Sequence, residues 1–295
     1  MKKLEKRVRR LVGRYRIPPD GKFRLDACDP ADTAGLDIAG KEAKKTLEDG
    51  VRSLAEMQDR LYAQDRWALL IVFQAMDAAG KDGTIKHVMS GVNPQGVQVH
   101  SFKAPSPEEL DHDFLWRVTR RLPERGGIGI FNRSHYEEVL IVKVHPDILR
   151  SQKLPDEVIT KDLWAQRYED INAFERHLSR NGYRILKFFL NVSKKEQKRR
   201  FLERLDTPAK NWKFSMADVR ERAYWKDYMR AYEDAIRATS TRWAPWYVVP
   251  ADHKWFTRLV VAAAVVDEMQ RLDLRFPKVD KARLRELAAA RRELA

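Results

Sequence analysis

The chain has 295 residues, room for one large α/β domain or two small ones, and its 43% hydrophobic and 34% charged composition excludes a wholly disordered polypeptide. Fifty-seven Lys and Arg against 43 Asp and Glu leave a net charge of +14. No apolar run reaches membrane-spanning length, and a lone cysteine, Cys28, excludes an intrachain disulfide and a cysteine-based metal site.

Residues 1–16 hold eight Lys and Arg against one Glu, and Leu4, Val8, Leu11 and Tyr15 recur at helical spacing, which predicts a basic amphipathic helix. Residues 17–40, rich in Pro, Gly and Asp, read as an irregular arm. Ala43, Leu47, Val51, Leu54 and Leu61 then mark one face of a helix over 41–64. Strands are predicted at 67–73, 97–102, 127–131, 183–190 and 246–249. Helices are predicted from near Gly83, and over 107–122, 155–180, 193–205, 215–238 and 253–272. Residues 276–295 read as a second basic helix. Strand and helix alternating with short links predict an α/β fold: a parallel sheet of about five strands with helices on both faces. The catalytic domain is expected over 41–275, between the two basic extensions. Ligands in such a sheet sit beyond the carboxyl ends of the strands.

After the first strand comes Gln74-Ala75-Met76-Asp77-Ala78-Ala79-Gly80-Lys81-Asp82-Gly83-Thr84. A small-residue loop entering a helix offers backbone N–H groups and the positive end of the helix dipole to an anion. Residues 79–84 (Ala79, Gly80, Lys81, Asp82, Gly83 and Thr84) are therefore candidate phosphate ligands, with Lys81 as the point charge. The loop departs from G-x-x-x-x-G-K-[ST], with Ala75 at the first Gly and Asp82 at the Ser/Thr. Asp77 inside an anion loop repels phosphate unless a cation lies between them, so it is the candidate ligand for Mg²⁺; the alternative is a turn residue bonding its own backbone.

After the third strand, Asn132 stands where an acid facing Mg²⁺ is usual, and Arg133 can bind phosphate oxygens bidentately. Ser134 and Glu137 have the spacing of a capping box, or Glu137 replaces the missing acid. The segment 176–213 holds twelve Lys and Arg against three acids. It follows the fourth strand, so a basic lid near 194–215 that closes on phosphates is expected; a solvated helix face, with Lys194, Lys198 and Arg199 partly on it, is the alternative. Trp212 pins that lid, stacks a base or packs in the core. Past the last strand, Asp252 reads as a helix N-cap, and Lys254 with Arg258 could face a nucleotide. The seven histidines show no metal spacing.

Met76-Asp77-Ala78-Ala79-Gly80-Lys81-Asp82-Gly83, Gly91-Val92-Asn93-Pro94-Gln95-Gly96, Phe131-Asn132-Arg133-Ser134-His135-Tyr136-Glu137, Lys210-Asn211-Trp212-Lys213 and Val249-Pro250-Ala251-Asp252 together resemble the polyphosphate kinase 2 family over roughly residues 20–275. The Asn-Arg-Ser-His-Tyr-Glu form resembles its class III, whose members accept AMP and ADP. The resemblance implies a P-loop kinase-like fold with a helical lid, and phosphoryl transfer between inorganic polyphosphate and adenine nucleotides (AMP, ADP, ATP) with Mg²⁺, or Mn²⁺ in its place. It implies Asp77, Lys81 and Arg133 as the catalytic set and puts Arg199, Arg200, Arg204, Lys210 and Lys213, as phosphate ligands, in the family's lid; Asn132, Glu137 and Lys254 are expected on the nucleotide side from their own positions. A homo-oligomer, dimer or tetramer, in the cytoplasm is expected, with neither nucleic acid nor membrane as partner. An ATP-dependent nucleoside monophosphate kinase on the same fold is the alternative. Few aromatics interleave with the basic runs, which disfavours a nucleic-acid-binding module.

Overall fold

A computed structural model of the chain describes residues 2–36 and 41–295. The side chains of Leu4, Val8, Ala43 and Leu47, set on helical faces by their spacing, lie outside the described residues. In chain order the helices are α1 (Lys2–Tyr15), α2 (Lys41–Gln64), α3 (Lys81–Val88), α4 (Pro107–Leu110), α5 (Trp116–Thr119), α6 (Glu137–Val144), α7 (Pro146–Arg150), α8 (Leu163–Arg180), α9 (Lys194–Asp206), α10 (Met216–Glu221), α11 (Trp225–Thr239), α12 (Lys254–Gln270) and α13 (Lys281–Glu293). The strands are β1 (Ala68–Gln74), β2 (Val97–Ser101), β3 (Ile128–Asn132), β4 (Tyr183–Asn191) and β5 (Trp246–Pro250). The pairings among these five strands are all parallel, in the order β2-β3-β1-β4-β5.

The apolar run of β1 explains its central place. Every one of its residues is buried, because helices cover both faces of a parallel sheet. One layer joins α1, α2 and α3 to α12; the other joins α6, α8 and α11. β2 is a polar edge strand, Val-Gln-Val-His-Ser, with Gln98, Val99 and Ser101 exposed. From β1 the chain runs outward to β2 at one edge, and from β4 to β5 at the other. The crevice beyond the carboxyl ends of these diverging strands is where such folds bind ligands.

Three predicted helices are broken. Residues 107–122 form only the single turns α4 and α5, because Asp111 to Asp113 interrupts the apolar face. The helix expected from Pro155 starts at Leu163, after a short 3₁₀ turn at Asp156–Val158. The helix expected over 215–238 is split by a 3₁₀ turn at Arg222–Tyr224. The arm is stitched to the core. Ile17 N donates to Trp246 O at 2.8 Å, Asp252 N to Pro30 O at 3.0 Å, and Asn191 Nδ2 to Cys28 O at 3.0 Å.

A charge cluster sits inside the core. Lys187 of β4 is fully buried and donates to Glu175 Oε2 at 2.6 Å, to the Tyr136 hydroxyl at 2.8 Å and to Thr239 O at 2.8 Å. These partners use all three ammonium protons. Burial pushes the Lys187 pKa down to about 8, with the Glu175 carboxylate opposing the shift.

Candidate active site

Beyond β1 the chain turns through residues 75–80 into α3. Ala78 (φ 62°) and Gly80 (φ 107°) both take left-handed backbone. Glycine does this freely; for Ala78 it costs roughly 1 kcal/mol or more, which the surroundings must offset. They do so from α9. Gln197 Nε2 donates to Asp77 O at 2.9 Å, and Arg200 Nη1 donates to Ala78 O at 3.0 Å and Ala79 O at 2.7 Å. Among the described residues, the N–H groups of Ala78, Gly80, Lys81, Asp82 and Gly83 have no acceptor. Loop and helix N-terminus together form an anion cradle.

Charged side chains ring the cradle. Lys81 Nζ donates to Ala75 O at 2.9 Å. Burial pushes its pKa down while Asp77 opposes the shift. Arg133 Nη2 lies 3.1 Å from Asp77 Oδ1. Arg133 is itself left-handed (φ 63°), a strained conformation of the kind stored at functional sites. Burial raises the Glu137 pKa against the pull of Arg133 and Lys81. Asn132 Nδ2 donates to Asp82 Oδ1 at 2.8 Å. Burial and the nearby Asp77 charge raise the pKa of Asp218, on α10.

Two cavities meet here. A cleft of about 790 Å³ is lined by the loop residues 77–84, by Asn132, Arg133, Arg204 and Lys210, and by Lys254 and Arg258 at the start of α12. A second cavity of about 410 Å³ is lined by Phe114, Ile141, Ile148 and Leu154, with Glu137, His135 and Arg167. Lys103 and Arg133 line both, so they mark the junction.

Asp77, residues 79–84, Arg133, Arg204 and Lys210 converge on the cleft as their positions in the sequence lead one to expect. Others depart. Arg200 reaches the cleft wall, but all five of its N–H donors are taken. Its remaining donors go to Glu196 Oε1 at 2.8 Å, Ala251 O at 2.6 Å and Asp252 O at 3.1 Å, so the five are spent within the protein, four on backbone carbonyls and one on Glu196. Arg199 points away, paired with Glu196 and Glu203, and does not line the cleft. The side chain of Lys213 lies outside the described residues. Of the residues expected on the nucleotide side, Asn132 and Lys254 line the larger cleft and Glu137 lines the second cavity. Ser134 and Glu137 form no capping box: Ser134 Oγ accepts from Tyr136 N at 3.1 Å and from Gln74 Nε2 at 3.2 Å. Asp252 does not cap α12; its carboxylate accepts from Ser193 N at 2.8 Å. Trp212 lines the cleft, largely exposed. Sequence reasoning passed over Lys103 and Asp218, single charges in surface segments with no motif around them.

Fold and site together define a phosphate-binding protein of the nucleotide-kinase type, with two cavities meeting at an arginine. The family model described as Polyphosphate kinase 2 (PPK2) matches residues 37–277. An ADP-polyphosphate phosphotransferase of Rhodopseudomonas palustris is 56% identical over 249 residues, covering 84% of this chain and 86% of the relative. An AMP/ADP-polyphosphate phosphotransferase of Meiothermus ruber is 45% identical over 91% of this chain and 97% of the relative. The crystal structure of a polyphosphate kinase 2 from Arthrobacter aurescens TC1 superposes with a TM-score of 0.85 at 41% identity, over 95% of this chain and 96% of that one. The chain belongs to the polyphosphate kinase 2 family.

Proposed function

We propose that this protein transfers phosphoryl groups from inorganic polyphosphate to AMP and ADP, giving ADP and ATP. The observation that carries this reading is the junction of the two cavities at Arg133. The phosphate cleft continues past the cradle to Lys254 and Arg258, which suits a donor made of phosphates alone. The apolar cavity suits a nucleoside, with Lys103 and Arg133 reaching its phosphates.

Transfer then needs positioning and charge neutralisation more than covalent help. An oxygen of the nucleotide's terminal phosphate attacks the terminal phosphorus of the polymer. A new O–P bond forms, the P–O bond to the next phosphate breaks, and the polymer leaves one unit shorter. The attacking oxygen is already anionic, so no strong base is required. Lys81, the free N–H groups of the cradle and Arg133 face the charge spread over the phosphoryl group in flight.

Among the described residues no three acidic or histidine side chains converge on a metal. Mg²⁺ is commonly held by one or two carboxylates plus substrate phosphates, and the carboxylate of Asp77 beside the cradle fits that donor set. Bound there, a divalent ion would neutralise phosphate charge. We propose further that the protein acts in the cytoplasm as a homo-oligomer.

The test is an assay with long-chain polyphosphate, a divalent cation, and AMP or ADP separately. ADP and ATP are the expected products. Product with ATP as donor and none with polyphosphate would transfer the reading to a nucleoside monophosphate kinase.

A further inference from the structure

We infer that Arg200 and Gln197 are positioning residues that set the peptide orientation of the phosphate cradle. The inference rests on the phosphotransferase reading above. Three consecutive carbonyls, those of Asp77, Ala78 and Ala79, are turned onto α9 by these two side chains. No cis peptide occurs among the described residues, so in each unit the N–H points opposite to its carbonyl. The N–H groups of Ala78 and Gly80 are thereby aimed away from α9, without acceptors, in residues that line the cleft. The third, on Ala79, is used within the loop, donating to Met76 O at 3.2 Å. Without the braces, the left-handed residues Ala78 and Gly80 leave these peptides free to flip, and a flipped unit would present a carbonyl oxygen to phosphate.

Arg200 suits this task because one planar fork grips three segments. Besides the loop it holds the carbonyls of Ala251 and Asp252, where β5 leads into Lys254 and Arg258. Glu196 fixes its Nε at 2.8 Å. Gln197 extends the brace toward α10. Its side-chain oxygen accepts from Arg222 Nη1 at 2.5 Å, and the same nitrogen reaches Lys194 O at 3.2 Å. The segment 207–222, which carries Lys210, Trp212 and Asp218 into the cleft, is thus linked by two hydrogen bonds to the carbonyl of Asp77.

Arg200→Lys and Arg200→Gln separate positioning from phosphate binding. Lysine keeps the charge but has three donors and no fork. A positioning role predicts that both variants lose kcat roughly 100-fold, the scale of one lost oxyanion-hole donor. The KM for polyphosphate stays within about threefold, and its salt dependence is unchanged because no phosphate-bound charge has been removed. A phosphate ligand predicts the reverse: Arg200→Lys close to wild type, and Arg200→Gln with a raised KM and a shallower salt slope. That result would overturn the inference. Circular dichroism checks that the variants fold. Gln197→Leu, which spares Arg200, gives an independent reading, with a smaller kcat loss at constant KM; an unchanged kcat there would remove Gln197 from the brace. Wild-type turnover of polyphosphate, measured alongside, keeps failure of the functional reading separate from failure of this one.

Discussion

Lys187 and Lys254 lie on the same half of the sheet, one midway along β4 and the other just past β5, yet their surroundings are opposite. Lys187 has no exposure, and three partners consume its three protons. Lys254 lines an open cleft, and its ammonium, like the side-chain cations of Lys103 and Arg258, has no hydrogen-bond or ion-pair partner among the described residues. Desolvation and the charge of Arg200 push its pKa down. In a chain of net charge +14, basic character therefore does not separate a structural cation from a binding one. Partnership does: a cation whose donors are spent supports the fold, and one whose donors are unspent waits for an anion.

Breaking the buried cluster should give the largest effect. Lys187→Met leaves the carboxylate of Glu175 buried without its cation and should cost about 3–5 kcal/mol in chemical denaturation. Adding Glu175→Leu should recover most of that loss; a double variant as unstable as the single one would break the comparison from the structural side. In the cleft, Lys81→Ala should lower kcat roughly 10²–10³-fold with a nearly unchanged melting temperature. A large stability loss in that variant would place Lys81 among the structural cations instead. Lys254→Ala and Arg258→Ala should each raise the KM for polyphosphate roughly tenfold, since a hydrogen bond to a charged group contributes about 1.5–3 kcal/mol. Their effect should shrink as salt is raised. The smallest change is expected for Arg10→Gln. Tyr15 meets Phe256 near the start of α12, whereas Arg9 pairs with Asp267 near its end, so α1 runs away from the cleft. KM for long chains should stay within about twofold of wild type if α1 lies off the polymer's path.

The centre of the sheet was readable because β1 is a nearly continuous apolar run, and burial on both faces demands that pattern. The loop after β1 was readable because its chemistry is contiguous in sequence. What escaped depends on distance along the chain. Arg200 belongs to a basic run that reads as a phosphate clamp, but its carbonyl partners lie 121 or more residues before it and 51 or more after it. Nothing local shows that its donors are spent. Arg199, its neighbour, turns to Glu196 and Glu203 because adjacent helix positions face different directions. Asp218 enters the cleft only through the fold of the segment after α9, and no spacing marks it.

The bond from Ile17 to Trp246 has a consequence beyond the arm itself. β5 is an outer strand, and an outer strand with bare peptide groups invites another chain to add on. Here the chain's own Arg16 and Ile17 lie against it, bridging Tyr247 in antiparallel sense, and the Ile17 carbonyl is in turn held by Ser240 Oγ at 2.8 Å. A foreign strand would have to peel away this arm, baring Val12, Tyr15 and Ile17, before it could pair. The arm thus guards the β5 edge of the sheet against edge-to-edge aggregation.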